Sequence, residues 1–482
     1  MLFKIIIFTK IEKNMKNCIK ISFVVIISLA IAGCYSYKPP PAAISGKTFT
    51  GLTKKAHQDI PEDCRVLTLE QAKQIAIANN PNYIATRHAM AAATARFYRS
   101  LSAYLPTITA TYGIRENQYI PQNRGGRGSR DGGFANSVKS GAFNGRWLIF
   151  NGLMRTMDML AAKHSEKAFE ARNRDARRLL VEAVTVAFNN ILLAQENIRI
   201  ARADETFNTQ LYDETKLKFD AGAVPLSDVL NFEIRVNNAK TAVINEEYNF
   251  FTARSILAEF MGFTSGVLPP HIFPDLKPKP DQFSIDVGVY LDTALKNRPD
   301  LKASREVMDT AKYNVYARWG AFSPTLSFDT SWGYSRTDPG YSGRWKYRSR
   351  SRDRSFNYGF EAEWVLFNGG ERIASLREAQ ANLAAVKENL TGKWISVVAE
   401  VRQAFEDRVR KGKQIKIYKK NLALVTKNRQ LVEESYKAGN ESITRLNEAQ
   451  KDLVNADSSY ISSIIDLENA KAKLNSAIGI LN

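Results

Sequence analysis

The amino-acid sequence predicts a mixed, internally duplicated fold: long α-helices in coiled-coil packing, with four β-strands per chain that close into a barrel only by joining copies of themselves. Three observations carry the prediction. The chain is written twice. Each copy contains a helix-forming stretch of almost seventy residues, and each contains two short segments that alternate apolar and polar side chains.

The duplication is plain at four places. Arg146-Trp-Leu-Ile-Phe-Asn-Gly152 returns as Glu363-Trp-Val-Leu-Phe-Asn-Gly369, and Lys218-Phe-Asp-Ala-Gly222 as Ser435-Tyr-Lys-Ala-Gly439, both at an offset of 217 residues. Leu105-Pro-Thr-Ile-Thr109 matches Ser323-Pro-Thr-Leu-Ser327, and Asn80-Pro81-Asn82 matches Arg298-Pro299-Asp300, both at 218. A near-constant offset over so long a span marks two copies of one unit. The copies cover 67–263 and 285–482, joined by a linker, 264–284, that holds Pro269, Pro270, Pro274, Pro278 and Pro280.

Ahead of the first repeat, Lys16 and Lys20 precede an apolar run, Ile21–Ala32. At about a dozen residues it is too short to cross a ~30 Å hydrocarbon core as a helix. A basic head, a short apolar body and small residues before a cleavage point describe a signal peptide over residues 1–33, with Met15 as the true start. Its end, Ile31-Ala-Gly-Cys34, resembles a bacterial lipobox. That makes Cys34 the acylated first residue of the mature chain and 34–66 a lipid-anchored extension. Cys18 falls in the signal, so Cys64 stands alone and no intrachain disulfide is expected. His57, His88, His164 and His271 show no metal-ligand spacing, and neither metal nor cofactor is expected.

Composition, 44% hydrophobic and 24% charged, excludes both a disordered chain and a bundle of membrane helices. Each half reads helix, strand, loop, strand, very long helix, turn, long helix. The first helix opens at Thr68, with Gln71 three residues on as a capping box, and runs to about Ala103. Leu153–Ala221 contains no Gly or Pro, and only Gly392 and Gly412 interrupt Glu371–Ala438. Such stretches, ~100 Å long at 1.5 Å per residue, cannot wrap one compact core and read as coiled coil.

Between the helices, Leu326, Phe328, Trp332 and Tyr334 alternate with Thr325, Ser327, Asp329 and Ser331. Phe356, Tyr358, Phe360, Ala362 and Trp364 alternate with Asn357, Gly359, Glu361 and Glu363, and Ile108, Ala110, Tyr112 and Ile114 with threonines and Gly113. A fourth segment, 137–150, alternates less cleanly. Aromatic segments of about ten residues match tilted transmembrane strands, although a soluble sandwich alternates in the same way. Four strands leave two unpaired edges that lipid cannot satisfy, and they are too few to enclose a lumen. Two copies would give eight strands with a filled interior; three would give twelve and a wet passage. The acidic set Asp329, Glu361 and Glu363 suits the wet interior; the residues themselves require an oligomer, and completion of a twelve-stranded barrel by trimerisation is an inference from that set.

Residues 67–482 resemble the TolC (outer membrane factor) family. The resemblance rests on Leu67-Thr-Leu-Glu-Gln-Ala72 with Asn79-Asn80-Pro81, on Trp147–Gly152 and Trp364–Gly370, and on Phe219-Asp-Ala-Gly222 with Leu226-Ser-Asp-Val-Leu230. It implies a homotrimer in the outer membrane with a 12-stranded barrel and a helical tunnel through the periplasm. It also implies docking to a periplasmic adaptor and an inner-membrane pump, and passage of substrate without covalent chemistry. The periplasmic tip would be formed by two hairpins, Gly222 with Leu226 and Gly439 with Ile443. Acidic residues constrict the tip in that family; here Asp228 and Glu448 hold such slots, whereas Arg445 reverses the charge at a third. Ordinary solvated carboxylates remain the alternative.

The net charge of +19 is partly concentrated between paired strands, in Arg124–Arg130 and in Arg344, Lys346, Arg348, Arg350, Arg352 and Arg354. Arginine suits phosphate, so contact with lipopolysaccharide is expected. A solvated loop is the simpler reading, and a nucleic-acid partner does not fit a secreted chain. Three functions compete: the exit duct of a tripartite efflux system for small molecules, the exit duct of a type I protein secretion system, and a non-channel coiled-coil envelope lipoprotein. No nucleophile elbow, phosphate loop or clustered His-carboxylate-Ser set points to an enzyme.

Overall fold

A computed structural model describes residues 66–119, 134–268, 273–275, 286–339 and 350–480. The signal peptide, Cys34 and most of its extension, most of the proline-rich linker, Arg124–Arg130 and Arg344–Arg348 lie outside the described residues.

In chain order the first repeat contains β1 (Val66–Thr68), α1 (Leu69–Asn79), α2 (Pro81–Ser102), β2 (Thr107–Tyr119), β3 (Phe134–Asn151), α3 (Met154–Asp220) and α4 (Leu226–Phe260). After β4 (Phe273–Asp275) the second contains α5 (Val287–Asn297), α6 (Pro299–Gly320), β5 (Thr325–Pro339), β6 (Ser351–Glu363), α7 (Glu371–Lys437) and α8 (Ile443–Ala477). The two longest helices, α3 and α7, are each 67 residues, ~100 Å at 1.5 Å per residue. The three-residue strands β1 and β4 pair in parallel, a contact without an alternation long enough to read in sequence.

Thr68 caps α1 as expected, with the Gln71 side chain closing the box from the other side. The single first helix expected over 68–103 is instead two. Pro81 carries no N–H and pushes the preceding residue out of helical geometry, so Asn80 sits at φ −62°, ψ 118°. Pro299 does the same to Arg298, at φ −59°, ψ 119°. The break has a use. Asn80 Nδ2 donates to the carbonyl of Phe260 at 2.9 Å, and Arg298 Nη1 to the carbonyl of Ala477 at 3.0 Å. In each repeat the break therefore ties the first helix pair to the end of the last helix.

Arg298 is almost wholly buried. It holds Asp300 through both carboxylate oxygens at 2.9 and 2.7 Å, with Glu400 at 2.8 Å, while Lys393 reaches Asp300 at 2.8 Å. Burial works against the Asp300 charge. The hydrogen bonds and charges of Arg298 and Lys393 outweigh it and hold the carboxyl far below the ordinary carboxylate range. Beside this network lies an apolar cluster from four helices: Ala294, Leu301, Val397, Val401, Phe405 and Leu474 with Ala477 and Ile478.

Elsewhere the buried seam is thin and built from small residues, among them Ala161, Ala168, Ala187, Ala194 and Ala201 of α3. Large side chains are left outside it. Ile234, Ile244, Tyr248 and Phe251 of α4, and Ile395, Ile417, Leu424 and Leu431 of α7, are all more than half exposed in the protomer.

Candidate functional site

The four long strands form one antiparallel sheet in the order β2-β3-β5-β6, so the two repeats meet at β3 and β5. Register sorts the side chains into two faces, because neighbours across strands share a face. One face carries the row Ala110, Phe143, Trp332, Phe356 and the row Trp147, Phe328, Phe360. Rings meet across the strands, Phe143 with Trp332 at 5.9 Å and Phe328 with Phe360 at 5.2 Å. The opposite face carries Thr107, Arg146, Asp329, Gly359, with Ser327 beside Glu361 and Thr325 beside Glu363. The sequence-predicted acids Asp329, Glu361 and Glu363 thus share the polar face. Asp329 accepts from Ser327 Oγ at 2.6 Å and lies 3.6 Å from Arg146, a cation that the alternation pattern did not single out.

The weak alternation of β3 has a local cause. Gly141 and Gly145 occupy aromatic-face positions, and a register shift between Leu148 and Phe150 displaces the strand end. Two expectations need correction. Trp364 lies beyond the end of β6, not within it, and 364–367 is irregular, with Phe367 85% exposed. Arg352 and Arg354 belong to β6, not to a loop, while Arg350 pairs with Asp338 at 2.8 Å.

At the far end of the helices, the two hairpins turn alike. Gly222 at φ +74° and Gly439 at φ +76° take the left-handed conformation that ends a helix. Leu226 and Ile443 begin the returning helices. Leu211 and Phe232 from the first repeat pack with Val432, Leu446 and Ala449 from the second, so both hairpin tips belong to one end of the bundle. Asp228 lies in the first turn of α4. Glu448, exposed, is 3.3 Å from Arg445, so its charge is partly offset by the residue that departs from the family pattern.

At the junctions between sheet and helices, which the Trp-to-Gly motifs mark in the sequence, sequence reasoning missed the two arginines. The Arg155 guanidinium donates to the carbonyls of Ala103, Leu148 and Ile149 and lies over the Tyr104 ring at 4.3 Å. Arg372 repeats the arrangement on Ala321 and Leu366, over Phe322 at 5.3 Å. Trp147 and Trp364 donate to the carbonyls of Tyr104 and Phe322 at 3.0 and 3.1 Å. The two arginines are 217 residues apart, the offset of the Trp-to-Gly motif preceding them, and that recurrence was the available signal.

The histidine reading also changes. Scattered in sequence, His164 meets Glu306 at 2.7 Å and Asp309 at 3.9 Å, with Tyr313 stacked on its ring at 5.1 Å. These three side chains could offer donors to a cation, their atoms lying within 4.8 Å of one another. A structural zinc site uses four ligands, and the set serves equally as a polar bridge between α3 and α6.

A sheet with one aromatic and one polar face, two open edges, and helices of ~100 Å attached at one end defines a channel-wall protein of the outer membrane. The chain belongs to the outer membrane efflux protein family, whose model matches residues 72–262 and 290–480. It is 24% identical over 421 residues to the alkaline protease secretion protein AprF of Pseudomonas aeruginosa, covering 85% of this chain and 82% of that one. It is 21% identical over 410 residues to the outer membrane protein TolC of Vibrio cholerae, covering 83% and 88%. Its fold matches the Campylobacter jejuni CmeC outer membrane channel with a TM-score of 0.71 at 20% identity, over 85% of each chain.

Proposed function

We propose that the chain is one third of a homotrimeric exit duct. In this reading it receives small molecules from an inner-membrane pump through a periplasmic adaptor protein and releases them across the outer membrane. The observation that carries the reading is the four-stranded sheet with opposite faces and two open edges, β2 and β6. A lipid-facing sheet cannot leave those edges unpaired. Three copies supply twelve strands, and the polar face lines the water. The exposed apolar side chains of α4 and α7 supply the contacts between neighbouring helical pairs.

Within this duct Cys34 is the acylated anchor in outer-membrane lipid. Asp329, Glu361 and Glu363 line the lumen, and Asp228, with Glu448 beside Arg445, rings the periplasmic tip. Like charges around a narrow axis favour cations. Conductance of the purified protein in a planar bilayer, with its mass measured in parallel, tests the proposal. Discrete cation-preferring openings from a trimer are expected. A monomer that never conducts overturns it and leaves the envelope scaffold.

The likeness to a protease secretion protein favours a second reading, the exit duct of a type I protein secretion system. Crosslinking in the host separates the two: a proton-driven pump captured with the duct supports efflux, an ATP-binding-cassette exporter supports protein secretion.

A further inference from the structure

We propose that the aromatic face of the sheet carries, at its end away from the helices, a binding site for the phosphates of a lipid headgroup, formed by Lys139, Arg336, Arg352 and Arg354. The inference rests on the sheet being the membrane wall, and deepens that reading by naming the lipid chemistry it recognises.

Register places the site. Lys139 is opposite Arg336, and Arg336 is opposite Arg352, so three cations stand side by side across three adjacent strands. Arg354 is opposite Tyr334 in the next row towards the helices. All four share a face with Phe143, Trp332 and Phe356, since each is an even number of residues along its strand from one of these. They are therefore directed to the lipid side, not the lumen.

Their height fits headgroups. The apolar band runs along β5 through Leu326, Phe328, Trp332 and Tyr334, with Thr330 as its polar member. Eight residues at ~3.3 Å rise span ~27 Å along the strand, or roughly 20 Å along the axis at a tilt of ~40°. An outward apolar band is about 25 Å tall, so the Arg336 row stands where the hydrocarbon ends.

Electrostatics point to an anionic occupant. Like charges directly opposite one another on a sheet face destabilise it, and here they stand three in a row. The acids available on the same face do not balance them. Asp338 is engaged by Arg336 at 2.9 Å and by Arg350 at 2.8 Å, and Glu116 lies on β2, one row further out. Among the described residues Lys139, Arg352 and Arg354 have no acidic partner, and all three are exposed. Phosphate suits such a row, because guanidinium groups bind it through two parallel hydrogen bonds.

The test is retention of lipid A by the detergent-purified protein, comparing the bisphosphorylated form with its dephosphorylated counterpart by mass spectrometry. Wild type should prefer the phosphorylated form. Lys139→Gln/Arg352→Gln/Arg354→Gln should lower its apparent affinity at least about tenfold, since each basic group near a charged lipid surface contributes appreciably. Lys139→Arg/Arg352→Lys/Arg354→Lys should keep the part of the preference that charge alone supplies and lose the part carried by paired guanidinium hydrogen bonds, and an unchanged melting temperature in the Gln variant separates lost binding from lost folding. Equal retention by wild type and a folded Gln variant overturns the site, as does competition by inorganic phosphate at equal concentration, which would make any anion sufficient. Quenching of tryptophan by brominated acyl chains, reduced in Trp332→Phe while Trp147 on the same face supplies the remainder, reads the membrane wall independently. Quenching without phosphate preference sinks the site alone; no quenching sinks the wall.

Discussion

Gly152 and Gly320 meet backbone to backbone where the first long helix leaves the sheet. A Cβ on Gly320 would lie 2.5 Å from the Gly152 carbonyl oxygen, and one on Gly152 would strike the Gly320 carbonyl oxygen well inside van der Waals contact. Gly369, the counterpart of Gly152 in the second repeat, has the same φ of +66° and open space around it. Gly152→Ala should therefore destabilise the protein by about 3 kcal/mol or more, from overpacking added to left-handed strain, and Gly369→Ala by about 1–2 from strain alone. Thermal unfolding of the two variants side by side decides; equal losses would contradict the close approach.

One residue further on, Leu153 adopts φ 63°, where the second repeat has Gly370 at φ 86°. Leu153 is 56% exposed and has little packing to lose. Leu153→Gly should stabilise by about 0.5–1 kcal/mol, the left-handed penalty less the entropy of glycine. A fall in melting temperature would mean that the side chain is held by contacts in the assembled protein.

Arg155 should be more demanding than its exposure suggests. Arg155→Lys keeps the charge but cannot reproduce a planar fork serving three carbonyls, so it should lose about 2 kcal/mol, close to the loss in Arg155→Ala. Faster amide exchange at 148–155 than elsewhere in the variant would place the damage at the junction. Full rescue by lysine would show that charge alone matters.

The Arg298–Asp300 pair makes stability acid-sensitive. Because the folded-state pKa of Asp300 is depressed, its contribution is present above the unfolded value near 3.8 and is lost as pH falls below it. Asp300→Asn leaves Arg298 buried with weaker compensation and should cost about 3 kcal/mol at neutral pH. It should also flatten the decline of melting temperature below about pH 4. A parallel decline in wild type and variant would assign the acid sensitivity elsewhere.

At the tip, Arg445→Ala should strengthen cation preference by freeing Glu448, whereas Asp228→Asn and Glu448→Gln should weaken it. Reversal potentials in a potassium chloride gradient read all three. If Arg445→Ala and Glu448→Gln shift selectivity in the same direction, the pair does not face the conduction path.

The duplication, the lengths of α3 and α7, the Thr68 cap and the two-faced strands were all legible in the sequence, because each is a local property. A period of two or the absence of a breaker needs no knowledge of what lies opposite. What only the tertiary structure decided concerns partners far along the chain. Arg298 on Ala477, His164 on Glu306 and Lys139 beside Arg336 depend on how helices rotate about their axes and which strand residue faces which, and no local pattern encodes either. Even the break at Asn80, visible as a proline, acquired its meaning only from the carbonyl of Phe260 that it reaches.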